Sequence, residues 1–233
     1  MKKIMFLVFA LSSAAFAVSG VGGIGLAFGV PQSEYRDNID RLGFGVSLDV
    51  AAKATPYFAL GGALGFMSYG SEKRNEPFST TIPDVFVEVT TSNNFMFFQL
   101  MPRIYAPLPI IKPYIEGRAG FNYLWTDTRI EDIGSDEEIA SSTNIDDITF
   151  CYGAGGGFLI EVWHEPSSKN ERDISDSPDA VYIDLKAIYV RGGNAEYLKE
   201  GSISNDGHGN VIYDISESRT DMLTISVGVA IEF

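Results

Sequence analysis

The feature that most constrains this chain is a two-residue rhythm repeated along most of its length. Ile24, Leu26, Phe28 and Val30 alternate with Gly23, Gly25, Ala27 and Gly29. Leu42, Phe44, Val46, Leu48 and Val50 alternate with Gly43, Gly45, Ser47 and Asp49. The same rhythm returns at Phe58–Phe66, Met96–Ile104, Ile115–Trp125, Ile148–Val162, Val181–Tyr189 and Leu223–Phe233. Side chains of a strand point to opposite faces in turn, so this pattern predicts strands with one apolar face. About eight such runs, each able to cross a bilayer at a tilt with ~9–11 residues, predict an all-β protein.

Two closed cylinders satisfy the alternation: a soluble barrel with its apolar face inward, and a membrane barrel with it outward. Three observations favour the second. The less apolar face is rich in Gly, Ala and Ser and carries few charges, whereas a face in water would carry many. The connections alternate in length: residues 54–56 and 107–112 are short, while 71–93, 127–144 and 192–218 are long. Residues 164–179 break this pattern with a long connection where a short turn is expected. Tyr57, Tyr69, Tyr105, Tyr114, Trp125, Trp163 and Tyr189 stand near strand ends, where interfacial girdles form. The expected fold is an eight-stranded antiparallel up-and-down transmembrane β-barrel, residues 18–233, with both termini in the periplasm.

The N-terminus reads as an export signal. Lys2 and Lys3 precede an apolar run from Ile4 to Leu11, and Ala15-Phe16-Ala17 has the small-x-small form of a cleavage site. Cleavage after Ala17 removes two Lys and no acid. The basic count falls from 17 to 15 against 31 acids, for a net charge of -16. An uncleaved helix through this region would have to hold Gly20, Gly22, Gly23, Gly25 and Gly29, at about 1 kcal/mol each.

The combination of export signal, eight alternating runs and a C-terminal Phe233 resembles the OmpA/OmpX-type superfamily of small bacterial outer-membrane β-barrels. In that family a terminal Phe on the last strand is read by the barrel-assembly machinery. The resemblance assigns this role to Leu223, Ile225, Val227, Val229, Ile231 and Phe233. Ile231 stands where the family often has an aromatic. Residues 197–203 (Tyr-Leu-Lys-Glu-Gly-Ser-Ile) look like an external-loop segment of such barrels. The resemblance implies outer-membrane lipid and lipopolysaccharide as surroundings, and the outer membrane as the destination.

Asp49, Arg103, Glu116, Arg118, Glu161, Asp184 and Lys186 fall on the inward face. Charges in a narrow barrel must be paired or wet, so they are expected to form a polar core that plugs the lumen. A gate or narrow ion path is the alternative. Residues 127–147 carry eight acids against Arg129 and read as a solvated loop, with divalent-cation binding as the alternative. Neither this loop nor residues 173–184 has the oxygen spacing and central Gly of an EF-hand; Pro178 takes the glycine position in the latter.

Other signals point away from chemistry. Residues 20–25 match G-x-G-x-x-G but neither follow a strand nor open a helix. Gly153–Gly157 lacks the Lys-Ser/Thr of a P-loop. Cys151 is alone, which excludes an internal disulfide and a cysteine-rich zinc site. The acidic balance argues against nucleic acid. His208, Ser204 and Asp206 share a loop without a fixed scaffold, and His164 falls at the opposite end. No cofactor, metal or enzymatic activity is therefore expected. The leading expectation is a non-catalytic outer-membrane protein acting structurally or through its long acidic external loops. A small pore or passive transporter, a lipid-modifying enzyme and a secreted ligand-binding barrel are the alternatives.

Overall fold

The computed structural model describes residues 19–79, 82–106, 108–132, 138–165, 178–205 and 211–233. The expected export signal, residues 1–17, lies outside them. Ten strands and one short helix follow in order: β1 (Gly20–Pro31), α1 (Ser33–Asn38), β2 (Gly43–Thr55), β3 (Phe58–Ser79), β4 (Ile82–Tyr105), β5 (Ile111–Asp132), β6 (Glu138–His164), β7 (Ala180–Gly192), β8 (Asn194–Asn205), β9 (Val211–Arg219) and β10 (Met222–Glu232). Eight of them close a barrel in the order β1-β10-β7-β6-β5-β4-β3-β2, every pair antiparallel. Each barrel strand contains one of the eight alternating runs. The two remaining strands, β8 and β9, form a separate hairpin between β7 and β10.

The register puts the apolar set outside. Ile24 is 62% exposed, Phe98 61% and Ile148 63%, and every one of the eight strands has exposed apolar residues on its outward face. A strand of about ten residues rises ~3.3 Å per residue and tilts in a barrel, giving the ~25 Å apolar band of bilayer-spanning barrels. A one-residue slip would exchange that coat for the inward charges, so the register is strongly specified.

The inward face is less uniformly small than its composition suggests. Tyr69, Tyr105 and Tyr114, expected in the outer girdle, are buried inside the barrel. Parity explains the correction: Tyr105 shares its face of β4 with Arg103, and Tyr114 shares its face of β5 with Glu116. Tyr57, Trp163 and Tyr189 do lie exposed on the exterior, and Trp125 is half-buried, stacked on Tyr123 at 5.0 Å. Inward glycines make room for the large groups. A Cβ at Gly157 would lie 2.7 Å from the Tyr114 hydroxyl and 2.8 Å from Lys186 Cβ, and one at Gly65 would run into the Phe97 ring.

The long connections also differ from expectation. Most of residues 71–93 and 127–144 continues the strands, so that β3, β4, β5 and β6 are 22, 24, 22 and 27 residues long. β1, β2, β7 and β10 have only 11–13. The β-branched run Val87, Val89, Thr90 and Thr91 suits a strand, and Val87 and Val89 are buried. Polar residues on both faces had disguised these extensions as loops. One end of the barrel thus carries both termini and the β2–β3, β4–β5 and β6–β7 connections. The far end carries α1, the two long hairpins and the β8–β9 hairpin.

Candidate functional site

The interior is stacked in three layers. The middle one is ionic. Arg103 reaches from β4 to β5 and β2: its Nε donates to Glu116 Oε2 at 2.7 Å and its Nη2 to Asp49 Oδ2 at 3.0 Å. Arg118 Nε donates to Glu116 Oε1 at 2.8 Å. Lys186, on β7, pairs with Asp49 and, at 3.1 Å, with Asp184 Oδ2. Tyr114 donates to Asp184 Oδ1 at 2.6 Å, while the Arg103 guanidinium lies 4.3 Å from the Tyr114 ring centroid. Every one of these charged side chains is at most 6% exposed. Three cations face three carboxylates, so the layer is electrically neutral. Neutrality and the dense donor–acceptor matching are what let six charges stand away from water.

The structure thus joins Asp49, Arg103, Glu116, Arg118, Asp184 and Lys186, and leaves Glu161 apart. Glu161 has the inward parity but sits at the terminal end, beside a register shift at residues 161–163. There its carboxylate lies 4.0 Å from His164 Nδ1 and is partly exposed. His208 and Asp206 lie outside the described residues, as does the side chain of Ser204. Cys151 is fully buried in the polar layer, where its Sγ accepts from Gln99 Nε2 at 3.4 Å.

Apolar layers close the stack on both sides. Towards the terminal end lie Met101, Tyr105, Tyr114, Leu159 and Tyr182, with alanines between them. Towards the far end lie Met67, Tyr69, Phe95, Phe97, Leu124 and Met222. A cavity of about 20 Å³ separates this far layer from the ions, between Arg118, Asn122 and Lys186 on one side and Phe95 and Phe97 on the other. That is room for about one water molecule and too little for a file of them.

A cover lies on the far layer. α1 inserts Tyr35 and the β8–β9 hairpin inserts Tyr197, their rings meeting edge-on at 5.3 Å; Tyr35 also meets Tyr69 at 5.9 Å. Asn38 Nδ2 donates to the Tyr197 hydroxyl at 2.9 Å, and that hydroxyl is 2.6 Å from Ser218 Oγ. Burial is the main cause that pushes the Tyr197 phenol up, so it stays neutral. The hairpin is tied to the long wall by Arg74 Nη1 donating to the Ile203 carbonyl at 2.8 Å and by the Glu196 amide donating to Asp147 Oδ2 at 2.9 Å. Sequence reading missed Tyr35 and Tyr197 as parts of the plug. No periodic signal marks them, because each enters the lumen from a connection.

On the last strand, Ile225, Val227, Val229, Ile231 and Phe233 are exposed outward at 41–49%, and Leu223 is half-buried on the same face. Among the described residues, no group of three or more His, Cys, Asp or Glu is arranged to hold a metal ion.

No protein-family model matches the chain, and no curated protein does. Several solved structures similar to it are small outer-membrane barrels. Ail, the attachment invasion locus protein of Yersinia pestis, is 13% identical with TM-score 0.44, over 93% of this chain and 99% of that one. Neisserial surface protein A is 11% identical with TM-score 0.40, over 92% and 97%. A major outer membrane protein from Thermus thermophilus is 14% identical with TM-score 0.41, over 92% and 99%. The eight-strand ring itself stands on this chain's own strand register.

Proposed function

We propose that this chain is a non-catalytic outer-membrane barrel with a closed lumen, acting structurally or through contacts made by its acidic far end. The observation that carries the reading is the inversion of polarity across one wall. Apolar side chains coat the outside on all eight strands, and the buried ions are neutralised inside between aromatic layers. An exposed apolar surface of this extent matches lipid and would drive association in water. Among the described residues the stacked layers fill the interior, as suits eight strands, whose lumen is just wide enough for side chains. Residues 1–17 export the chain, Leu223 to Phe233 engage the assembly machinery, and the far end faces lipopolysaccharide and the cell exterior.

Two measurements on the purified, detergent-folded protein test this. It should migrate compactly on gels until boiled, and it should show no reproducible unitary conductance in planar bilayers. Stable conductance would replace the closed barrel with a pore; full partition into water without detergent would overturn the membrane assignment altogether. For the assembly role, deletion of Phe233 should reduce folded protein in the outer membrane of cells. Unchanged folded yield would remove that role.

A further inference from the structure

The β1–β10 seam joins the first and last barrel strands, and its inward face is poor in large side chains. Across it Gly23 faces Ala230, Gly25 faces Gly228, Ala27 faces Ser226 and Gly29 faces Thr224. Cross-strand side-chain pairs are what stabilise a sheet locally, and terminal strands fray unless tied down. On its outward face Ile24 pairs with Val229, Leu26 with Val227 and Phe28 with Ile225, but the inward face has little of the first, and the seam is exposed to the second. Its terminal end, however, holds a dense set of contacts built from two residues.

Phe233 and Gly20 exchange two backbone hydrogen bonds, Gly20 N to Phe233 O at 2.7 Å and Phe233 N to Gly20 O at 3.0 Å. The Phe233 ring lies on the outward face of β1, across Gly20 and Gly22. A Cβ on Gly20 would stand 2.9 Å from the ring edge, and one on Gly22 3.7 Å. Glu232 points the other way, into the barrel mouth. Its carboxylate pairs with Lys53 of β2, accepts from the Tyr182 hydroxyl of β7 at 2.7 Å, and lies 3.5 Å from Lys112 of β5. Lys112 Nζ donates in turn to the Tyr182 hydroxyl at 2.5 Å. The Glu232 carbonyl accepts from the Asp179 amide at 2.7 Å.

We propose that Glu232 and Phe233 form a two-sided latch that holds the finished barrel shut. The ring seats outward on Gly20 and Gly22, while the carboxylate ties β10 inward to β2, β5 and β7. The partners of Glu232 are up to 179 residues away in sequence. The latch therefore assembles only when β10 has met β1. Gly20 and Gly22 are accordingly the receiving surface for the terminal aromatic; a Cβ at Gly20 would displace the ring, while one at Gly22 would only touch it.

The test uses the mature chain refolded from urea into detergent micelles, so that it is independent of cellular assembly. Glu232→Gln and Lys53→Met should each lower the temperature at which the compact gel band is lost, by about 2–4 °C or more, and the double variant should lose no more than the larger single loss. Gly20→Ala should lower it in the native background and leave it unchanged in Phe233→Ala. Hydrogen exchange should quicken about tenfold at the terminal-end amides of β1 and β10 in Glu232→Gln, with β4–β5 amides unaffected. Additive losses in both cycles, or equal loosening of β4–β5, would overturn the latch.

Discussion

The barrel wall has two unlike halves. Around the seam, β10, β1 and β2 with neighbouring β7 are 11–13 residues long, about the length a tilted bilayer crossing needs. Opposite them, β3–β6 run 22–27 residues and rise well beyond that band. The difference separates two jobs within one sheet. The lower half of every strand obeys the solvent outside it and the ions inside it. The upper half of β3–β6 obeys neither rule. It mixes polar residues on both faces and is held by hairpin pairing and by the β8–β9 cover.

If the lower zone is a buried ionic core, the largest loss should come from breaking it. Arg103→Met leaves Asp49 and Glu116 without their shared cation, which should cost about 3–5 kcal/mol; urea unfolding in detergent micelles would measure it. A loss below about 1 kcal/mol, the range of solvent-exposed pairs, would mean that water reaches this layer freely. The inside–outside contrast within one strand comes next. Val227→Arg, outward near the belt's middle, should cost about 2–4 kcal/mol when the protein is folded into lipid bilayers. Ser226→Arg meets the lumen instead, and its outcome should not depend on bilayer thickness. Matching losses with matching lipid dependence would erase the contrast. The smallest effect belongs to the upper zone. Lys73 pairs with Glu88 at 2.5 Å on the β3–β4 hairpin, with Lys73 59% exposed. Lys73→Ala should cost about 0.2–1 kcal/mol, falling further as salt is raised. A larger, salt-insensitive loss would make the long hairpins part of the stability core.

The lower zone was legible in the sequence because lipid and lumen impose opposite demands on neighbouring residues. Every alternating run became a barrel strand, and six of the seven inward charges converge. The upper zone was not legible for the same reason reversed. Ser71 and Lys73 are exposed, while Glu72 and Arg74 on the other face are half-buried, Arg74 against the polar backbone of the β8–β9 hairpin, so no apolar alternation is required there. The tyrosines failed for a different cause. Proximity to a strand end suggested a girdle for Tyr69, Tyr105 and Tyr114, yet the parity of Arg103 and Glu116 already placed two of them inside. Tyr35 and Tyr197 depend on how α1 and a distant hairpin fold over the barrel, which no local pattern encodes.

The balance of three cations against three carboxylates reaches beyond stability. Since that layer sums to zero, the entire -16 expected for the chain without residues 1–17 resides elsewhere. A voltage across the membrane therefore finds no net charge in the ionic layer to pull on. Ionic strength, by contrast, acts where the charge is. Salt or divalent ions should retune how the protein's ends meet their surroundings, while the span between them stays electrically indifferent.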